Sequence, residues 1–265
     1  MLRVIALALA VVTATTCFAE SHTTDQTCHL KTTDIRVDYM EERRAPNGEI
    51  LLRRPIILYR YQHQVAIEYP AQGITEKWER AKNKRIKLTR YFNDARRGIE
   101  YQPGELTHTG LNGVRGSAAN TDWSMHWQLI SDDLIASMTA QQHGEIKDSK
   151  HPCETPTIYH RDTGSSQSKL IWLPTQQLVE SYSLTQPAYT LTLTRAHTPD
   201  IHDADIASYF ATLSEYPTID YADIGDSESD PFLLKMINLG FVEHGASGFY
   251  DAQGNDIGAR RDHNH

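Results

Sequence analysis

Tyr189-Thr190-Leu191-Thr192-Leu193-Thr194 alternates apolar and polar side chains without a break. A strict period of two fits an extended strand with one face buried and one face wet, and it fits no helix. The same alternation recurs about every ten residues through much of the chain, which predicts many short antiparallel strands.

The first series runs from Ile35 to Tyr101. Ile35, Val37 and Tyr39 lie on one face. Ala45-Pro46-Asn47-Gly48 then marks a hairpin, because Asn-Gly supplies the positive φ angles of a tight turn. The chain returns through Ile50 and Ile56 to Tyr61. Val65, Ile67 and Tyr69 follow, then Ile74 and Trp78, then Ile86, Leu88 and Phe92, then Ile99 and Tyr101. The opposite faces are rich in Arg, Lys and Glu, where cross-strand ion pairing is expected. Arg90 shares the apolar face of Ile86, Leu88 and Phe92. It needs a partner or a polar head group there, or a sheet end at which it reaches water; the sheet end is the expectation.

Residues 103–121 interrupt the pattern with Pro103-Gly104 and three further glycines, whose spacing matches no phosphate-binding fingerprint. Trp123, Trp127, Ile130, Leu134 and Met138 then fall on one helical stripe. Asn120, Thr121 or Asp122 can cap it, while Ser131-Asp132-Asp133 either weakens its interior or starts a second helix. The stripe reads as core packed on the sheet, or as a lid with two Trp side chains over a cavity. After polar residues 140–168, strands resume at Leu170 and Trp172, at Leu178, Tyr182 and Leu184, and at Tyr189 to Thr194. Ile201 to Leu213 is helical, with Ile206, Tyr209, Phe210 and Leu213 on one face. Asp230-Pro231 opens a short helix over Phe232 to Leu239, which Gly240 stops. The fold expected is α+β and mainly antiparallel β: a curved sheet or incomplete barrel with a helical insertion and a helical C-terminal extension.

Residues 1–19 carry Arg3, an apolar run from Val4 to Val12, and small residues before Glu20. That is the layout of a secretory signal, with an apolar run too short to span a bilayer. A retained anchor, or lipidation at Cys17, are the alternatives. The expected organisation is a signal at 1–19, a β-rich domain at 20–198 with the insertion at 122–139, and a helical extension at 199–265 that packs on the same domain and ends in a disordered tail. The expected location is periplasmic or secreted. Removing the signal leaves Cys28 and Cys153, which in an exported protein read as a disulfide; a redox or metal pair is the other reading. The 26 Lys+Arg against 34 Asp+Glu give a charge of −8, which speaks against non-specific nucleic-acid binding.

Candidate chemistry is thin. Asp220, Asp223, Asp226, Glu228 and Asp230 cluster around Gly225, oxygen ligands that suit Ca²⁺, though the EF-hand spacing is missing. The alternative is a solvated acidic loop beside a helix N-terminus. No other cofactor is expected. His263 and His265 with His244 form a possible transition-metal set. Gly245-Ala246-Ser247-Gly248-Phe249 falls one residue short of a nucleophile elbow, since its last position is Phe. Tyr159-His160-Arg161-Asp162 with Ser165 and Ser166 puts triad residue types close in sequence.

Taken together, the strand series Ile56–Tyr101, the helical insertion, and Leu170–Ala196 with Leu170-Ile171-Trp172-Leu173-Pro174 resemble the periplasmic lipoprotein-localisation fold (LolA/LolB-like), shared by RseB-type sensor domains. The resemblance covers about half the chain, and the segment after residue 198 departs from it. It implies an incomplete barrel whose open side is covered by helices and whose interior holds acyl chains or a partner's hydrophobic segment.

The function expected is an exported binding or carrier protein that shields a lipid-like or hydrophobic ligand, or an envelope protein's apolar segment, without changing a bond. The candidate cavity lining from the first strand series is Val65, Ile67, Trp78 and Leu88, with Arg90 for a head group. Trp123, Trp127, Trp172, Leu191 and Leu193 complete it. The alternatives are a secreted hydrolase whose catalytic residues the sequence does not single out, and an envelope interaction module acting through the acidic loop.

Overall fold

The computed structural model describes residues 30–107, 121–141, 154–196, 203–227 and 229–239. Strands β1 (Ile35–Arg44), β2 (Ile50–Tyr61), β3 (Gln64–Tyr69), β4 (Ile74–Arg80), β5 (Ile86–Phe92) and β6 (Arg97–Tyr101) form the first series. Two short helices follow, α1 (Trp123–Gln128) and α2 (Asp132–Ala136). The second series is β7 (Thr139–Gln141), β8 (Thr157–Asp162), β9 (Gln167–Leu173), β10 (Leu178–Thr185) and β11 (Thr190–Arg195). Helix α3 (Asp203–Ser214), strand β12 (Thr218–Asp220) and helix α4 (Pro231–Asn238) end the described chain.

All twelve strands belong to one open sheet, ordered β12-β6-β5-β4-β3-β2-β1-β11-β10-β9-β8-β7. Each half is a meander of neighbours in sequence. The halves meet where β1 pairs with β2 on one side and β11 on the other, placing Tyr39 opposite Ile56 and Arg195. Every pairing is antiparallel except β12 with β6. The α+β class and the mainly antiparallel open sheet are as the alternation predicted. Register shifts at Arg43/Arg44 and between Val179 and Ser181 are bulges, which sharpen local twist and bend a strand. Gly48 sits at φ 87° in the first hairpin, a conformation a β-carbon would strain.

The inner face carries the main core. Val37, Leu58, Val65, Trp78, Leu88, Ile99, Leu170 and Leu178 are buried there, because alternate residues of neighbouring strands stack into one apolar surface. Leu233 and Met236 of α4 join this cluster. Asp230 starts α4 as foreseen: its carboxylate accepts from the Phe232 N–H at 2.8 Å, with Pro231 in the first turn.

Three features depart from the expectation. The outer face is not wholly polar: Tyr59, Ala66 and Tyr91 make a second apolar cluster with Ile206, Phe210 and Leu213 of α3. Tyr59 and Tyr209 stack there with centroids 4.0 Å apart. Single outward aromatics on separate strands leave no periodic signal, so the sequence hides this patch. Residues 157–162 form β8, whose polar composition concealed a strand near the sheet edge. The parallel strand β12 was also missed. It docks where Gly98 lets the chains approach; a β-carbon there would stand 2.9 Å from the Tyr91 ring and 3.0 Å from Thr218.

Candidate functional site

The stripe from Trp123 to Met138 does not make one helix. Leu129 takes a left-handed conformation (φ 61°) and divides α1 from α2. Asp122 caps the first by accepting from the Ser124 N–H at 3.0 Å, and Ser131 caps the second by accepting from the Leu134 N–H at 3.1 Å. The Ser124 hydroxyl accepts from the Asp132 N–H at 2.9 Å, which ties the pair into one corner. Sequence favours the break, since Ser131-Asp132-Asp133 gains more from capping than from a helix interior.

That corner lies over the inner face of the sheet and leaves a cavity of about 340 Å³ between them. The ceiling is Met125, His126, Leu129, Ile130 and Leu134. The floor is Ile56, Ile67, Tyr69, Glu76 and Trp78. Tyr182, Leu191 and Leu193 close one side, and Glu41 and Arg54 the rim. Most of the wall is apolar, and its charged groups come in pairs. Arg54 Nε donates to Glu41 Oε2 at 2.5 Å, and its guanidinium lies 5.2 Å from the Tyr69 ring centroid.

Arg90 is not at a sheet end in water. It is 8% exposed, next to Glu76 at 5%, and its Nε and Nη2 both donate to Glu76 Oε1, at 3.2 and 2.6 Å. Burial pulls the guanidinium pKa down, but the Glu76 carboxylate, with Tyr101 and Tyr69, together outweighs it, so the pKa rises. The pair forms because Glu76 and Arg90 are direct partners across β4 and β5 on the inner face. Burial and the neighbouring Glu76 carboxylate keep the Tyr69 phenol protonated well above its usual range. The His126 ring stacks flat on Trp78, with centroids 3.4 Å apart. Among the described residues the buried Trp78 indole N–H has no hydrogen-bond partner.

Of the lining expected from sequence, Ile67, Trp78, Leu191 and Leu193 are in the wall. Val65 and Leu88 are wholly buried in the core beneath it, and Trp172 is core as well. Arg90 reaches the cavity only through Glu76. Trp123 and Trp127 stack on each other at 5.6 Å and are not among the wall residues. Trp127 serves an anchor instead. The fully buried Arg60 donates to the carbonyls of Trp127 (2.7 Å), Gln176 (2.8 Å), Gln177 (2.5 Å) and Thr32 (3.3 Å). Its guanidinium lies 4.7 Å from the Trp127 ring centroid. Burial pulls its pKa down to about 10, so it stays charged near neutrality. Sequence reasoning missed Met125 and His126, which lie in α1 off the Trp123–Met138 stripe, and Arg60, since a polar position on an inner strand face shows no pattern of its own.

The other candidate groups have local roles. Asp220 accepts from the Ala222 N–H at 3.2 Å and from Gln102 Nε2 at 3.1 Å. Asp230 is paired to Arg97 at 2.7 Å besides its cap. Asp223 and Asp226 are exposed, and Glu228 lies outside the described residues. Among the described residues no three His, Cys, Asp or Glu side chains gather in a metal-holding group. His160 Nε2 is 2.9 Å from Gln141 Oε1, and Asp162 accepts from the Gly164 N–H at 2.8 Å, so these two do not link to Ser165 or Ser166 as a triad. Cys17, Cys28, Cys153, His244, Ser247, His263 and His265 lie outside the described residues. Among the described residues no helix is long and apolar enough to cross a membrane.

No protein-family model and no curated protein matches the chain. It is similar to solved structures of PNGF-II in two crystal forms, each at 7% identity. The TM-scores are 0.31 and 0.28, over 69% of this chain and 34% and 33% of those chains. The chain thus spans about a third of their length, and likeness at this level carries no argument.

Proposed function

We propose that this chain is an exported binding or carrier protein that holds the apolar chain of a lipid-like ligand, or a partner's hydrophobic segment, without bond chemistry. One observation carries the reading: a mostly apolar space of about 340 Å³ between the inner sheet face and the α1–α2 corner. At the ~30 Å³ a small molecule such as water takes up, this has room for about eleven methylene-sized groups. Each buried CH₂ contributes about 0.8 kcal/mol. A medium-length chain therefore gains enough to offset the cost of its own ordering. A helical corner packed over one face of an open sheet is also what the lipoprotein-localisation resemblance implies. The N-terminal sequence supports a periplasmic or secreted setting, with a disulfide between Cys28 and Cys153 as part of it.

Native mass spectrometry of protein purified from an oxidising compartment tests the proposal. A co-purified hydrophobic adduct is expected, and Leu193→Trp, which fills the side of the cavity, should remove it. An adduct-free protein that also gains no thermal stability from medium-chain amphiphiles would sink the idea.

A further inference from the structure

The carrier reading leaves the ligand's head group open, and the charge around the cavity restricts it. In the wall, Glu41 is paired to Arg54, and Glu76 to Arg90. Tyr69 and Tyr182 are neutral phenols whose pKa values burial raises, and the Tyr182 hydroxyl is hydrogen-bonded to Ser168. His126, whose ring lies flat against Trp78, brings either no charge or a positive one. The wall and these partners therefore hold no surplus negative charge.

A cation stands at the mouth without a counter-charge. Tyr39, Glu41 and Arg43 share the inner face of β1, so Arg43 lies one step of about 7 Å outward from the rim residue Glu41. It is directly opposite Leu191 of β11, as Glu41 is opposite Leu193, and both leucines are in the cavity wall. Its guanidinium rests 4.8 Å from the Tyr189 ring centroid, which positions the half-buried side chain. The neighbouring arginines are engaged, Arg44 and Arg53 with Glu42 and Arg54 with Glu41. Among the described residues no carboxylate pairs with Arg43 and its side chain makes no hydrogen bond; Nε is buried, while the terminal Nη atoms keep access to solvent.

Resting on the carrier reading, we infer that the cavity takes a medium-chain amphiphile with an anionic head group, a carboxylate or sulfate, held at the mouth by Arg43. The Arg43 Nη atoms donate to the head group's oxygens, while the alkyl chain runs inward past Leu191 and Leu193 to Ile67 and Leu134. A hydrogen bond between a guanidinium and an anion is about twice as strong as one between neutral groups. A hydroxyl head accepts from Arg43 without that charge, and an ammonium meets a like charge there. Glu41, next along β1, is held by Arg54, so it does not set a bare negative charge against the head group.

Isothermal titration of the purified protein with decanoate, decyl sulfate, decanol and decylammonium, near neutral pH and at low ionic strength, decides the matter. The two anions are expected to bind at least about tenfold more tightly than decanol, and decylammonium no better than decanol. Arg43→Gln should cut the preference for the anions to under about threefold. Arg53→Gln removes an exposed cation from the opposite face of β2, where Glu42 pairs with it, and should leave the preference unchanged. Decanol binding as tightly as decanoate overturns the head-group assignment and leaves the carrier reading standing. So does a preference that survives Arg43→Gln, or one that falls equally in Arg53→Gln. Binding of none of the four overturns both. If Arg43→Gln does not fold, the four-ligand series on the unaltered protein and on Arg53→Gln decides alone.

Discussion

Arg60 Nε stands 2.7 Å from the carbonyl oxygen of Trp127, and among the described residues every hydrogen-bond partner of this buried guanidinium is a backbone carbonyl. The arginine thus fastens the end of α1, the turn between β9 and β10, and the segment before β1 to the middle of the sheet. Arg60→Met should lower stability by about 3 kcal/mol or more, because several buried carbonyls lose their donor together. Arg60→Lys should recover less than half, since an ammonium cannot match the planar fork. Urea unfolding measures both, and a Met variant as stable as the parent would refute the anchor.

Glu76 and Arg90 form a buried pair beside the cavity. Arg90→Met alone leaves a buried carboxylate without its cation and should cost about 3–5 kcal/mol. The double variant Glu76→Leu with Arg90→Met should return to within about 1 kcal/mol of the parent, because both the charge and its need are gone. A double-mutant cycle by chemical denaturation reads the coupling directly. Additive losses would show that the two residues act separately.

Glu105 gives a pH dependence with a definite sign. It is 4% exposed, and burial pushes its carboxyl up to about 7 from 4.5; the Gln102 N–H works against the rise, while Asp220 and Asp223 add to it. Between those values the folded protein binds more protons than the unfolded chain, so stability falls as pH rises through that window. Glu105→Gln keeps the oxygen that accepts from the Gln102 N–H and removes the charge. The variant should be more stable by about 2 kcal/mol above the window and equal to the parent below it. Denaturation midpoints at acid and neutral pH check this; a parent whose stability rises across the window would contradict it.

On the outer face, Phe210 is 3% exposed between α3 and the Tyr61 ring, 5.6 Å away. Phe210→Ala should cost about 3–5 kcal/mol through lost burial and the void left behind. Hydrogen exchange should show α3 amides losing protection first, with β3 and β4 following. Uniform loss across the sheet would mean that α3 and the sheet unfold as one unit.

The strands were legible because alternation is a local property. Val65, Ile67 and Tyr69, or Leu191 and Leu193, announce a face without reference to any other part of the chain. The α4 start was equally local, written in Asp230 and Pro231. What escaped notice depends on meetings between distant segments. Nothing near Arg60 indicates carbonyls contributed by Trp127, Gln176 and Gln177. Arg90 was expected in water because its partner Glu76 lies on another strand, and a correct pairing register is needed to see them face to face. Four of the cavity residues were found as apolar strand positions. Val65 and Leu88 have the same pattern but lie deeper, since period two separates two faces and says nothing of depth beneath a helix.

The seam between β1 and β11 has a consequence in time. Strands about 150 residues apart in sequence must meet there, as Glu42 with Thr192 shows, so loop closure has to be met before the ladder repays it, and such long-range pairing is slow. Leu191 and Leu193, which close one side of the cavity, arrive on β11 itself. While the chain is still emerging, the first meander therefore has a floor without that wall. The cavity is therefore completed late, when β11 zips onto β1.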